Sequence, residues 1–247
     1  MMYTALAPLY DRIMSHVNYT RWLELIQKII ARYYAHINPS ILEIGGGTGT
    51  LAAMLLKKGF MYCGSDYSFA MCRQARKKGV PFFCADAKKI PVKTCFSLII
   101  FLYDGINYLH SLDEYRRLFN EVYPRLYRDG YFLFDITTEA NSKNNFLDMT
   151  DAEDFGELSY LRHSYYDRKT KIQYNDFTIY TKSSKTGALY ERYSEIHDQK
   201  IFSVDEIVSV IPTDLFSVAG IWDDFSLQKY TAGSERVHYL LQKRALS

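Results

Sequence analysis

The spacing of apolar positions changes several times along this chain, and each change marks a different kind of element. Trp22, Leu25, Ile26, Ile29, Ile30 and Tyr33 recur at helical spacing and give one apolar face. Residues 3–36 therefore predict two helices, the second capped by Asn18 or Thr20 and stopped at Asn38-Pro39. Short apolar runs then alternate with helical stretches. The runs fall at 41–44, 60–66, 81–84, 96–102 and 131–136, and the run at 96–102 has the continuous apolar character of a strand buried on both faces. Helical spacing follows at 51–56, from residue 67, and again through Tyr115, Leu118, Phe119, Val122 and Leu126, where Pro124 should kink the last turn. This alternation predicts an α/β fold with a mostly parallel sheet flanked by helices.

At about residue 141 the alternation stops. Residues 141–154 are polar and read as a loop, and three stretches rich in Tyr, Ile and Thr follow at 158–167, 171–181 and 189–202. Plausible hairpin turns at 168–170 and 182–187 separate them, so an antiparallel sheet is expected here as an insertion after strand 5. In its third strand, period-2 alternation puts Glu191, Tyr193, Glu195, His197 and Gln199 on one face. Ser203-Val204-Asp205-Glu206 is a capping box that opens a helix, and strands near 215–225 and 237–243 close the chain. Three units result: an N-terminal helical lid (1–36), a core (37–140 and 203–247) and an inserted antiparallel sheet (141–202), either a substrate cap or a dimer face.

Composition narrows the function classes. Of 247 residues, 48% are hydrophobic, enough for a sizeable core. Formal net charge is +2, and the clusters Lys57-Lys58, Arg76-Lys77-Lys78 and Lys88-Lys89 sit near helix ends or loops. They form no long basic stripe, so no nucleic-acid partner is expected. Cys63, Cys72, Cys84 and Cys95 make no C-x-x-C pair, so zinc or redox chemistry is not expected and free thiols in a reducing cytosol are. No apolar run approaches a membrane span, and residues 1–19 lack a secretory pattern. A cytoplasmic location is the expectation.

The chemistry concentrates in Ile41-Leu42-Glu43-Ile44-Gly45-Gly46-Gly47-Thr48-Gly49-Thr50. Glycine accepts positive φ and lets a ligand approach the backbone, and the following helix offers unpaired N–H groups. A dinucleotide fingerprint would need its third glycine at Thr50 or Ala52. The chain instead has an acid followed by glycines at every second residue: Glu43, Gly45, Gly47, Gly49. That pattern resembles motif I of the class I S-adenosylmethionine-dependent methyltransferases. The resemblance implies a Rossmann-like, seven-stranded fold, with Gly45, Gly46, Gly47, Thr48 and Gly49 wrapping the amino-acid end of S-adenosylmethionine.

Other positions follow from that resemblance. Asp66 ends the second strand, where a carboxylate can accept from both ribose hydroxyls, although an acid there also serves as a helix N-cap. Tyr67, Ser68 and Met71 continue a D-x-S-x-x-M pattern, with Met71 near the adenine. Asp86 and Ala87 stand where the family recognises the adenine amino group. Leu102 and Tyr103 follow the fourth strand, at the end of the sheet where open α/β folds place their chemistry. Tyr10-Asp11 and Tyr19 with Trp22 resemble a lid whose tyrosines close over the cofactor, and packing on the core is the equal alternative.

Tyr103-Asp104-Gly105-Ile106 looks like the corresponding segment of small-molecule methyltransferases, and differs from the Asp/Asn-Pro-Pro-Tyr of enzymes that methylate nucleic-acid amino groups. A small-molecule acceptor is therefore expected, methylated on nitrogen or oxygen, with a tRNA or protein methyltransferase and a non-catalytic cofactor binder as rivals. A hydroxyl acceptor needs a base, for which Asp104, Asp135 and His197 are available; Tyr10 is a further catalytic candidate. Glu195-Ile196-His197-Asp198-Gln199 resembles a strand that covers the active site in relatives, and a solvated position suits His197 equally well. Monomer and homodimer both remain open.

Overall fold

The computed structural model describes residues 3–34, 38–183 and 189–245. The turn expected at 182–187 therefore lies largely outside the described residues. The lid and first helices comprise α1 (Tyr10–Ile13) and α2 (Tyr19–Tyr33). Asn18 is the cap of α2, its side chain accepting from Thr20 N. The core follows as β1 (Ser40–Glu43), α3 (Thr50–Lys57), β2 (Met61–Asp66), α4 (Phe69–Lys77), β3 (Phe82–Cys84), β4 (Phe96–Phe101), α5 (Leu112–Val122) and β5 (Leu126–Thr137). Pro124 ends α5 outright, because a ring without an N–H cannot continue the ladder, and a 3₁₀ turn at Tyr123–Arg125 replaces the expected kink.

The insertion holds α6 (Glu139–Asn145), β6 (Asp148–Asp154), β7 (Leu158–Asp167), β8 (Ile172–Lys182) and β9 (Tyr190–Lys200). The loop expected at 141–154 is thus a correction: Thr138 caps a short helix, and β6 pairs antiparallel with β7. β6 reads as loop because it is an exposed, acid-rich edge strand, held by its ladder and not by an apolar face. The chain returns through α7 (Val204–Val208), whose capping box is present, to β10 (Phe216–Asp223), β11 (Gln228–Lys229) and β12 (Arg236–Lys243).

The main sheet runs β11-β10-β12-β5-β4-β1-β2-β3, the seven expected strands plus a two-residue edge. β1 to β5 are parallel, and β12 and β10 join antiparallel. Alternation along β4 divides the core: Leu98 and Ile100 face α2 and α3, while Ile99 and Phe101 face α5 and α7. Asp129 sits at φ +60° in a bulge of β5, a conformation glycine adopts freely and aspartate at some cost.

Two features hold the insertion over the carboxyl ends of the strands. Asn107, fully buried in the segment after β4, donates to Thr137 O at 3.4 Å and Lys200 O at 3.0 Å, and accepts from Thr137 N at 3.0 Å. One side chain thereby ties the end of β5 to the end of β9. The second feature is the lid, whose Leu6, Leu9 and Ile13 pack against Leu158, Tyr160, Phe177 and Ile179 of the inserted sheet.

Candidate active site

The glycine loop carries positive φ at Gly45 (+66°), Gly47 (+57°) and Gly49 (+75°). A Cβ on Gly45 would lie 2.6 Å from the Phe101 ring, so that position is closed by packing as well as by conformation. A Cβ on Gly47 would meet no atom within 4 Å, which leaves space for a ligand against the backbone. Gly49 differs from expectation. An added Cβ there would come within 3.0 Å of Ala75 on α4 and 2.9 Å of Val80 just past its end, so it serves packing and lines neither cavity described below.

Because β1 and β2 are neighbours, Asp66 meets the loop. Its two oxygens accept from Gly47 N at 2.9 Å and Ser68 N at 2.7 Å. The cap of α4 is Ser68, which accepts from Met71 N at 3.3 Å, so Asp66 does not fill the N-cap position. Burial raises the Asp66 pKa to about 6, against the pull of the two backbone N–H bonds. Glu43 is raised by burial to about 7; the Tyr62 hydroxyl, which donates to it, opposes the shift, and the charge of Asp66 adds to it.

A cavity of about 260 Å³ opens in front of this loop. Tyr10, Gly45, Gly47, Asp66, Tyr67 and Ser68 line it, and Met71, Asp86, Ala87, Leu102 and Tyr103 complete the expected set. Tyr19, Glu43, Gly46 and Thr48 surround a smaller recess on the other side of the same loop. The open cradle at Gly47 and the carboxylates of Asp66 and Asp86 fit S-adenosylmethionine.

A second cavity, about 190 Å³, lies between core and inserted sheet. Its floor is a charge cluster. Arg236 on β12 pairs with Asp104 at 2.9 Å and with Asp135, and Gln199 donates to the other Asp104 oxygen at 2.6 Å. Asp135 also accepts from Asp104 N at 3.0 Å. Both carboxyls are raised by burial, with Arg236 opposing. Tyr103 and Asp104 are successive non-glycine residues at positive φ, +61° and +50°, a strained backbone at the head of this cluster. Asp104 as a base would have to give up two donors. His197 is 2% exposed and lines this cavity, so the solvated alternative is overturned. The polar face of β9 divides along its length: Glu191 and Tyr193 lie outside, bonded to one another, while Glu195, His197 and Gln199 turn inward.

The lid borders both cavities through Tyr3 and Tyr10. Asp11 accepts from Thr48 at 2.5 Å and Thr50 at 3.1 Å and pairs with Lys78 at 2.6 Å. Partial burial works against that carboxylate, but these partners hold its pKa below the usual range. At the other end Ala5 N donates to Glu195. Sequence reasoning missed Tyr3, Tyr108, Lys78, Arg162 and Arg236. None stands in a recognisable motif, and each reaches the site only through the tertiary fold.

Fold and cleft together define a Rossmann-like methyltransferase architecture. Residues 41–130 match the family described as "Methyltransferase domain". A Geobacillus sp. (strain WCH70) protein that carries a methyltransferase name is 28% identical, over 98% of this chain and 100% of its own. A crystal structure of an S-adenosylmethionine-dependent methyltransferase from Clostridium acetobutylicum superposes with a TM-score of 0.81 at 22% identity, covering 99% of this chain and 100% of that one. The sugar N-methyltransferase KedS8 from Streptoalloteichus sp. gives 0.78 at 17% identity, over 97% and 93%. These matches support a class I S-adenosylmethionine-dependent methyltransferase. Among the described residues no helix is long and apolar enough to cross a membrane.

Proposed function

We propose that the protein methylates a small-molecule acceptor held in the second cavity, with S-adenosylmethionine in the first. The observation that carries this reading is the adjacency of the cavities under one roof, the inner one about 190 Å³ and lined by residues of the lid and the inserted sheet. A pocket of that size takes a metabolite-sized group. The structural neighbour KedS8, a sugar N-methyltransferase, is consistent with it.

The cofactor supplies an electrophilic methyl group on a positive sulfur. The chain supplies alignment and exclusion of water. Asp66 and Asp86 hold the ribose and adenine, while the glycine loop holds the amino-acid end. Gln199 and Arg236 fix Asp104, and with it the strained Tyr103 that separates the cavities. His197, backed by Glu195 3.4 Å away, takes the acceptor's proton where one must leave. The test is incubation of the purified protein with methyl-labelled cofactor and a fractionated metabolite pool, read by mass spectrometry. Label in a small molecule is the expected result. Label found only in tRNA or protein overturns the reading.

A further inference from the structure

We infer that the acceptor is an amine, gripped as its ammonium form in a collar of tyrosines before methylation; this rests on the small-acceptor reading above. The walls of the two cavities share Tyr3, Tyr10, Tyr103 and Tyr108, and every shared residue is a tyrosine. Tyr3 stands edge-on to Tyr10, with ring centroids 5.8 Å apart, and its hydroxyl lies 2.5 Å from that of Tyr108. Rings and phenolic oxygens around one aperture attract a cation and give a neutral alcohol much less.

The charges below the collar point the same way. Asp104 and Asp135 share the single guanidinium of Arg236, and Asp135 Oδ1 is buried with no hydrogen-bond partner among the described residues. Arg162 is already matched by Asp151 at 2.6 Å. Glu195 Oε2 has no aligned hydrogen bond, only the His197 ring 3.4 Å away. Carboxylates therefore outnumber fixed cations around the acceptor, and an ammonium group restores the balance.

Charge flow in the reaction favours nitrogen too. The ammonium gives one proton to His197, whose ring lies tilted against Tyr3 with centroids 4.2 Å apart and is backed by Glu195. The freed lone pair forms the N–C bond as the S–C bond breaks, its electron pair staying on sulfur. Positive charge thus moves from the sulfonium to the new methylammonium, still inside the collar. A hydroxyl acceptor would instead develop negative charge among carboxylates, which like-charge repulsion penalises.

The probes are cyclohexylamine and cyclohexanol, matched in shape and small enough for the cavity. Each is titrated by calorimetry into the full chain saturated with S-adenosylhomocysteine, then tested for methyl transfer by mass spectrometry. The amine is expected to bind at least tenfold tighter and to be the one methylated. Glu195→Gln keeps an acceptor for Ala5 N and removes the charge, so amine affinity should fall about tenfold with S-adenosylhomocysteine affinity unchanged. Failure of the amine to bind, equal affinity for both probes, or transfer to the alcohol overturns the amine assignment and leaves the small-acceptor reading intact. A collar that serves only the sulfonium would show itself as equal affinity. Transfer confined to bulk tRNA or protein overturns both readings.

Discussion

The two cavities of the cleft, one proposed for the cofactor and one for the acceptor, are built in different ways. In front of the glycine loop the contacts are local and rely on backbone: Gly47 to Asp66 spans 19 residues, Ser68 to Asp66 only two. In the proposed acceptor half the contacts engage side chains with partners from distant parts of the chain, three of them side chain to side chain and the fourth from the Ala5 backbone N–H. Gln199 to Asp104 spans 95 residues, Tyr3 to Tyr108 spans 105, Arg236 to Asp104 spans 132, and Ala5 to Glu195 spans 190. A local, backbone-based site leaves a motif in the sequence. A side-chain site assembled by topology leaves none.

That contrast is open to direct tests, and the largest effect belongs to the acceptor half. Arg236→Met leaves two buried carboxylates without their cation and should cost about 3–5 kcal/mol in urea unfolding. A loss under 1 kcal/mol would mean that the cluster is hydrated and not a buried network. Gly45→Ala attacks the other half through backbone: positive φ and collision with Phe101 should together cost about 2–4 kcal/mol and abolish calorimetric binding of S-adenosylhomocysteine. Normal binding by that variant would show that the loop tolerates a side chain.

Asp66→Asn keeps the shape and removes the charge, and at about 1.5–3 kcal/mol for a charge-assisted bond the affinity for S-adenosylhomocysteine should drop about tenfold or more. Next comes pH. Asp66 and Glu43 have pKa values raised to about 6 and about 7, so the folded state binds more protons than the unfolded chain between pH 4 and 7. Stability without ligand should therefore rise as pH falls from 7 toward 5 and decline as pH rises through these values, by up to about 1.4 kcal/mol per unit for each group. Cofactor affinity should move the opposite way, since the ribose contact proposed above needs the ionised Asp66. Thermal melts and calorimetry across that range check both signs. The smallest effect is at the lid, where the Lys78–Asp11 pair is partly exposed. Lys78→Met should cost about 0.5 kcal/mol globally, with faster hydrogen exchange confined to residues 3–16.

Legibility followed the same division. The five parallel strands, the closing antiparallel pair and the gathering of Asp66, Asp86, Gly45 and Gly47 around one cavity were readable because strand and helix periods and strand-end acids are local properties. Gly49 was readable as a glycine but not as a packing glycine, since Ala75 on α4 and Val80 just past it lie 26 residues away or more. β6 escaped because an edge strand can be polar on both faces. Tyr193 and His197 share one face by alternation, yet one is exposed and the other buried, because only the inward end of β9 is covered by the lid. Arg236 reads as an ordinary flanking cation until Asp104 is seen beneath it.

Asn107 has a consequence for how such a molecule can change over generations. The insertion departs after Thr137 and comes back at Lys200, and one buried amide bonds both places. Since the two ends meet, a roof of different length or composition would impose little closure strain on the sheet below. The seam at Asn107 is thus the natural boundary for grafting: a foreign roof joined at Thr137 and Lys200 should inherit the cofactor site unaltered and bring its own acceptor preference with it.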